Sequence, residues 1–190
     1  MSWDIEQLKT HEALFITAYR KNLIDGFVDG KDIIRQANGI SVHMDQGEVV
    51  AISDFWSDGN PSMGNVRITY RFPDRTEKVA WGMNYSDACL PNSYVSRKQI
   101  LNFLRDAIRA YDGSGLPFRG QDGFWQALPH PLTGAITDAI SLRYQIHSAD
   151  KSTPTFDQFS IVEKVILDVK NRPLEDVFVF AANGGYLNLK

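Results

Sequence analysis

Hydrophobic and polar positions change their spacing several times along the chain, and each change marks an element. In "WDIEQLKTHEALFITAYRKNLI" (3–24), Leu8, Phe15, Ala18, Tyr19 and Leu23 recur at three- and four-residue steps. That period predicts a helix with one apolar face, with Asp4 and Gln7 as a capping pair. Asp25-Gly26 and Asp29-Gly30 break the pattern. Residues 31–46 follow neither period. The spacing then falls to two. "EVVAISDFW" (48–56) is rich in β-branched and aromatic residues and reads as a strand. "NVRITYRF" (65–72) alternates, with Val66, Ile68, Tyr70 and Phe72 on one face. "EKVAWGMNY" (77–85) alternates again, with Val79, Trp81, Met83 and Tyr85 on one face and Ala80, Gly82 and Asn84 on the other.

The two alternating runs pair through the turn "PDRT". A four-residue loop sets Phe72 opposite Glu77, Tyr70 opposite Val79, Ile68 opposite Trp81 and Val66 opposite Met83. On the reverse face Arg67 falls opposite Gly82, Arg71 opposite Lys78 and Asn65 opposite Asn84.

The helical period returns in "SRKQILNFLRDAIRAYDG" (96–113). Ser96 and Gln99 form a capping box, Ile100, Leu104, Ala107, Ile108 and Tyr111 form the stripe, and Gly113 stands where a C-terminal cap belongs. "PLTGAITDAI" (131–140) fits a short helix through Leu132, Ala135, Ile136, Ala139 and Ile140. Three strands follow, at 141–148, 159–169 and 175–183. Val177 to Phe180 is apolar on both faces, as in a covered strand.

The expected fold class is α+β: a largely antiparallel sheet of two three-stranded meanders, with two main helices packed on it. Residues 1–190 form one domain, with structural halves at 1–90 and 91–190. The halves echo one another. At an offset of 89, Leu14, Phe15, Ala18 and Tyr19 fall on Phe103, Leu104, Ala107 and Ile108; at an offset of 98, Glu77 and Val79 fall on Glu175 and Val177.

Composition narrows the function classes. The 20 basic and 23 acidic residues are interspersed and form no basic stripe, which disfavours duplex nucleic acid. No stretch approaches the roughly 18 apolar residues of a membrane span, and the acidic start lacks a signal-peptide pattern. A lone cysteine, Cys89, excludes an internal disulfide and a multi-cysteine zinc site, and points to a reducing cytoplasm.

The four histidines, His11, His43, His130 and His147, show no metal spacing, so no metal and no cofactor is expected. Cys89 has no histidine near it in sequence, and no nucleophile or phosphate-loop motif occurs. What remains is a set of polar side chains at special backbone positions: Arg67 facing Gly82, Asn84 beside it, Arg119 in "PFRG", then Asp122 and Trp125. Arginine forks suit carboxylate or phosphate. The plainer alternative makes Arg67 and Arg71 a solvated face, with Arg119 paired to Asp122 or another acid.

Taken in order, "VAWGMNY", "FLRDAI", "LPFRG", "FSIVEKV" and "VFVFAANGG" resemble a family of small bacterial domains of unknown function, over residues 48–187. Those domains carry a Trp-x-Met-Asn-Tyr strand end, an FLxxAL helix, a Pro-Tyr-Arg-Gly loop and paired glycines, and are often fused to helix-turn-helix modules. The matching residues are Trp81, Met83, Asn84, Tyr85, Phe103, Leu104, Ala107, Pro117, Arg119, Gly120, Glu163, Gly184 and Gly185. The chain departs at Phe118 and Asp87 and in residues 121–140, which read as an insertion. The resemblance implies a fold and a boundary and no mechanism.

The expected function is a non-enzymatic binding or regulatory module of the bacterial or phage cytoplasm. It would bind a protein partner, in toxin neutralisation or defence, or sense a small molecule. The alternative is a small metal-independent enzyme using Arg67, Asn84, Arg119 and Asp122 on an anionic substrate. Single-strand nucleic-acid binding is a third class, opposed by the balanced charge. A final strand left at the sheet edge would favour a homodimer.

Overall fold

The computed structural model describes residues 5–29, 34–36, 39–42, 49–57, 59–113, 119–130, 133–149 and 154–187. In chain order the elements are helices α1 (Ile5–Lys9) and α2 (Glu12–Asn22), a π-helical turn (Leu23–Val28), and strands β1 (Ile34–Gln36), β2 (Gly39–Val42), β3 (Val49–Trp56), β4 (Ser62–Arg71) and β5 (Glu77–Cys89). Helix α3 (Arg97–Arg109) follows, then β6 (Trp125–Pro129), β7 (Ile136–Ser148), β8 (Gln158–Val169) and β9 (Glu175–Tyr186). The fold is α+β. Its sheet is antiparallel throughout, in the order β1-β2-β3-β4-β5-β9-β8-β7-β6. Among the described residues no helix is long and apolar enough to cross a membrane.

The helix expected over 3–24 is two helices. At the junction the Thr10 hydroxyl donates to the Gln7 carbonyl at 2.7 Å and the His11 N–H to Leu8 O at 3.0 Å. Asp4, the expected cap, lies outside the described residues. After α2 the chain widens into the π-helical turn, closed by the Asp29 N–H on Ile24 O at 2.8 Å. Single π-turns of this kind are a frequent mark of functional sites.

The β4–β5 register is as expected from Asn65↔Asn84 to Ile68↔Trp81 and then shifts. Ala80 is an extra residue, so Thr69 pairs with Val79, Tyr70 with Lys78 and Arg71 with Glu77. The bulge turns Ala80 as well as Trp81 into the core. It also brings Arg71 Nη2 to Glu77 Oε1 at 3.0 Å. The turn uses Arg75 at φ 66°.

Three further expectations are corrected. Residues 136–140 belong to β7 and are not helical. Gly134 at φ 68° ends the preceding turn, and the β-branched residues after it suit a strand. Pro131 and Leu132 lie outside the described residues. The ambiguous stretch 31–46 carries β1 and β2, and the insertion carries β6, so each run of strands is longer than three. The final strand is not an edge: β9 is paired on both sides, by β5 and β8.

Both long helices pack on one face of the sheet. Phe15 and Tyr19 of α2 meet Tyr70, Trp81, Phe156 and Tyr186 in ring contacts of 5.4–6.4 Å. Trp81 stacks on Phe156 at 4.6 Å, and its indole N–H donates to Phe156 O at 2.9 Å. In α3 the expected capping box forms between Ser96 and Gln99, and Ile100, Phe103, Leu104, Ala107 and Ile108 are buried.

Candidate functional site

Between the sheet, the π-helical turn and α3 lies a cavity of about 230 Å³. Leu23, Phe27, Leu101, Leu104, Val66 and Met83 supply apolar wall. The polar groups come from the inward rows of β3 and β5. Ile52 is buried and faces in, so alternation turns Asp54 and Trp56 the same way. On β5 the row Trp81, Met83, Tyr85, Asp87 carries two polar groups among the apolar ones.

The Tyr85 hydroxyl donates to Asp54 Oδ1 at 2.8 Å, and the Ser62 hydroxyl to Asp87 Oδ2 at 2.7 Å. Burial pushes Asp54 up to about 6, against the lowering effect of the Tyr85 bond and of Arg119. Burial likewise raises the Tyr85 phenol, with Asp54 adding to it. Tyr85 also stacks on Phe180 at 5.5 Å.

Arg119 lies on the cavity's inner side. Its Nε donates to Glu163 Oε1 at 2.6 Å, and its guanidinium sits 4.1 Å from the Phe180 ring centre. Both members of the pair are buried, Glu163 completely. Burial opposes the charge on Arg119, but Glu163, Tyr19 and Tyr144 outweigh it and hold the proton more firmly than usual. Burial pushes Glu163 up, with Arg119 opposing. Arg20 anchors the segment by donating to Arg119 O and, at 3.0 Å, to Ile108 O. Gly120 is required beside it, because a Cβ there would lie 2.8 Å from the Tyr144 ring.

Two cavity-lining groups from α2 are buried: Asn22 Oδ1 has no hydrogen-bond partner, and the Tyr19 phenol, raised by burial, is opposed by the Arg119 guanidinium beside it. Tyr19 and Asn22 are 1% and 6% exposed.

The five residues singled out by sequence divide among three places. Arg119 lines the inner cavity. Arg67 and Asn84 sit on the opposite face of the sheet, in an open groove of about 520 Å³. Its floor is made by registered rows, Arg67↔Gly82↔Gly185 and Asn65↔Asn84↔Asn183. Asp122 Oδ1 accepts from the Ile146 N–H at 3.1 Å, and Trp125 is 48% exposed on β6. Arg67 and Arg119 therefore share no cleft, and the four residues of the anionic-substrate arrangement do not form one site. Arg119's acid is Glu163, not Asp122.

No family model, curated protein or solved structure matches the chain.

None of Tyr19, Asn22, Asp54, Tyr85 and Glu163 is among the five candidate site residues read from the sequence, although Tyr85 and Glu163 are among those that carry the resemblance. A usable signal existed. Asp54 follows Ile52 by two, Glu163 stands between Ile161 and Val165, and Asn22 is three after Tyr19 on the apolar stripe. A polar residue on a core-facing position is either paired inside or placed for a ligand.

Proposed function

We propose that the protein is a non-enzymatic binding module that holds a small molecule between its sheet and the π-helical turn. The observation that carries this reading is a buried, unpartnered polar atom, Asn22 Oδ1, lining a cavity beside Tyr19 and Asp54. That oxygen costs about 1–3 kcal/mol while unsatisfied, and a ligand that bonds to it recovers that cost. The groups best suited to chemistry are already engaged: Ser62 with Asp87, Tyr85 with Asp54, Arg119 with Glu163. That favours binding over turnover. The small-molecule form fits a regulatory role in the bacterial or phage cytoplasm expected from the sequence.

The test is a thermal-shift screen of a metabolite library on the wild type and on Leu101→Trp, which fills the cavity from the half-buried face of α3. Hits should raise the wild-type midpoint and leave the variant unmoved. Hits that stabilise both equally would count against this site.

A protein partner is favoured by a different feature. Phe55, Trp56 and Met63 are 37%, 36% and 66% exposed where β3 and β4 meet their connecting loop. Affinity capture from the source cell should then recover a stoichiometric partner that Met63→Lys loses. We also propose that the halves 1–90 and 91–190 are related. In support, α2 precedes β3–β5 as α3 precedes β7–β9, and β5 and β9 pair antiparallel about Tyr85↔Ala182.

A further inference from the structure

Asn22 is the last residue of α2 and continues its core-facing row, three positions after Tyr19. A leucine there would pack as its neighbours do and would favour the helix more. The asparagine is instead 6% exposed with its Oδ1 unpartnered. Among the described residues its Nδ2 donates no hydrogen bond either. The side chain thus brings an unused acceptor and an unused donor, side by side, to the cavity. The charges around it balance. Arg97 and Arg119 line the cavity together with Asp54 and Asp87. Arg119 is closed on Glu163 and stands beside the Tyr19 phenol. Burial raises Asp54, and the Tyr85 bond and Arg119 oppose that rise. An ion of either sign meets a like charge as well as an opposite one, so the site selects a neutral ligand.

We propose that the cavity binds a neutral cyclic amide of single-ring size, with its N–H donating to Asn22 Oδ1 and its carbonyl accepting from Asn22 Nδ2. This rests on the cavity being a ligand site. Two-point pairing of this kind is how an asparagine reads the edge of adenine, and it needs a donor and an acceptor on one edge of the ligand. An open-chain secondary amide is trans and turns its N–H and C=O to opposite sides. A ring holds the two cis, as a pyrimidine base or a lactam does. An alcohol engages one atom of Asn22 at a time, and a hydrocarbon leaves both unpaired. Val66 and Met83 of the sheet and Leu101 and Leu104 of α3 give the ring body its apolar surroundings. The volume of about 230 Å³ lies under the roughly 300 Å³ at which drug-sized pockets begin, so the site takes the ring without a sugar attached.

Uracil and 2-piperidone, each with its N-methylated counterpart, test the pairing, and toluene tests the space alone. The readout is the methyl resonance of Met83, buried at the cavity, with the 66% exposed Met63 as control, in protein labelled at methionine methyls. The two amides should shift Met83 saturably and leave Met63 in place, and the tighter of them tells base from lactam. N-methylation should weaken binding about tenfold or more, since it removes the donor that Asn22 Oδ1 accepts. Asn22→Leu should lose about the same factor for the amides and keep toluene. It should also melt no lower than wild type, because it deletes an unsatisfied buried group. Methylated probes that bind as readily as their parents, or amide affinity unchanged in Asn22→Leu, overturn the amide class and leave the cavity standing. So does a shift with toluene alone. Met83 unmoved by every probe at millimolar concentration overturns both. The wild-type series decides on its own should Asn22→Leu fail to fold.

Discussion

Asp54 sets the pH behaviour of the molecule more than any other single carboxyl in the cavity. Its folded value, raised by burial from 3.8 to about 6, lies above its value in the unfolded chain. The native state therefore holds the proton more tightly between those values, and stability falls as pH rises through them, by about 3 kcal/mol. Tyr19 of α2, Tyr85 and Asp87 of β5, Arg97 of α3, and Arg119 are the ionisable neighbours at the cavity. Urea unfolding of wild type and Asp54→Asn at pH 4 and pH 7 isolates the effect, with the wild type losing stability over that interval relative to the variant. Asp157, held low by its Thr155 bond and by Lys9, acts with the opposite sign in both proteins and cancels. At the buried ion pair, Glu163→Gln alone should cost about 3–5 kcal/mol, because it leaves Arg119 charged and unpaired. Arg119→Met combined with Glu163→Leu should recover much of that loss in the same denaturation experiment. The sequence placed Arg119 as special from its Pro-Gly surroundings, yet its partner lies 44 residues away on β8. Contact at that separation follows from strand order, which alternation alone does not contain.

Elements were most legible where one face is apolar and the other polar. The capping box of α3 is local chemistry, and four consecutive pairs of β4 and β5 follow from matching apolar rows. The bulge at Ala80 escaped because alanine reads as neutral on either face. The stretch 136–140 escaped because its apolar spacing fits both periods. Ser96→Ala should cost about 1 kcal/mol in thermal unfolding. Glycines of the β5–β9 seam offer a sharper contrast. A Cβ at Gly184 would lie 2.8 Å from Met83 Cα and 2.9 Å from the Phe159 ring, and would also clash with Gly82 O. At Gly82 the nearest atoms are 3.6 and 3.9 Å away, which is ordinary contact. Gly184→Ala should therefore destabilise by about 1–3 kcal/mol, while Gly82→Ala stays within about 0.5 kcal/mol of wild type. The latter also fills part of the outer groove beside Arg67 without touching the inner cavity.

At the scale of the molecule, β4, β5 and β9 stand in the middle of the sheet, β8 lies next to β9, and β1 and β6 form the edges. Amide exchange should be slowest at Trp81–Tyr85, Phe178–Ala182 and Ile161–Val165, where strands are paired on both sides and buried on the helix face. Composition and periodicity were enough for the class of fold, since they report which faces are covered. The order of strands was not legible, because nothing local distinguishes a neighbour next in sequence from one a hundred residues on. That order has a consequence for synthesis. While the ribosome is still adding residues beyond Cys89, β5 exposes a full row of backbone donors and acceptors, next to Trp81 and Met83, with no strand to meet them. The chain then makes α3, β6, β7 and β8 before Glu175 begins the strand that closes the gap. A nascent chain of this protein spends most of its second half with its future centre as an open edge, the period when a holding chaperone has most to protect.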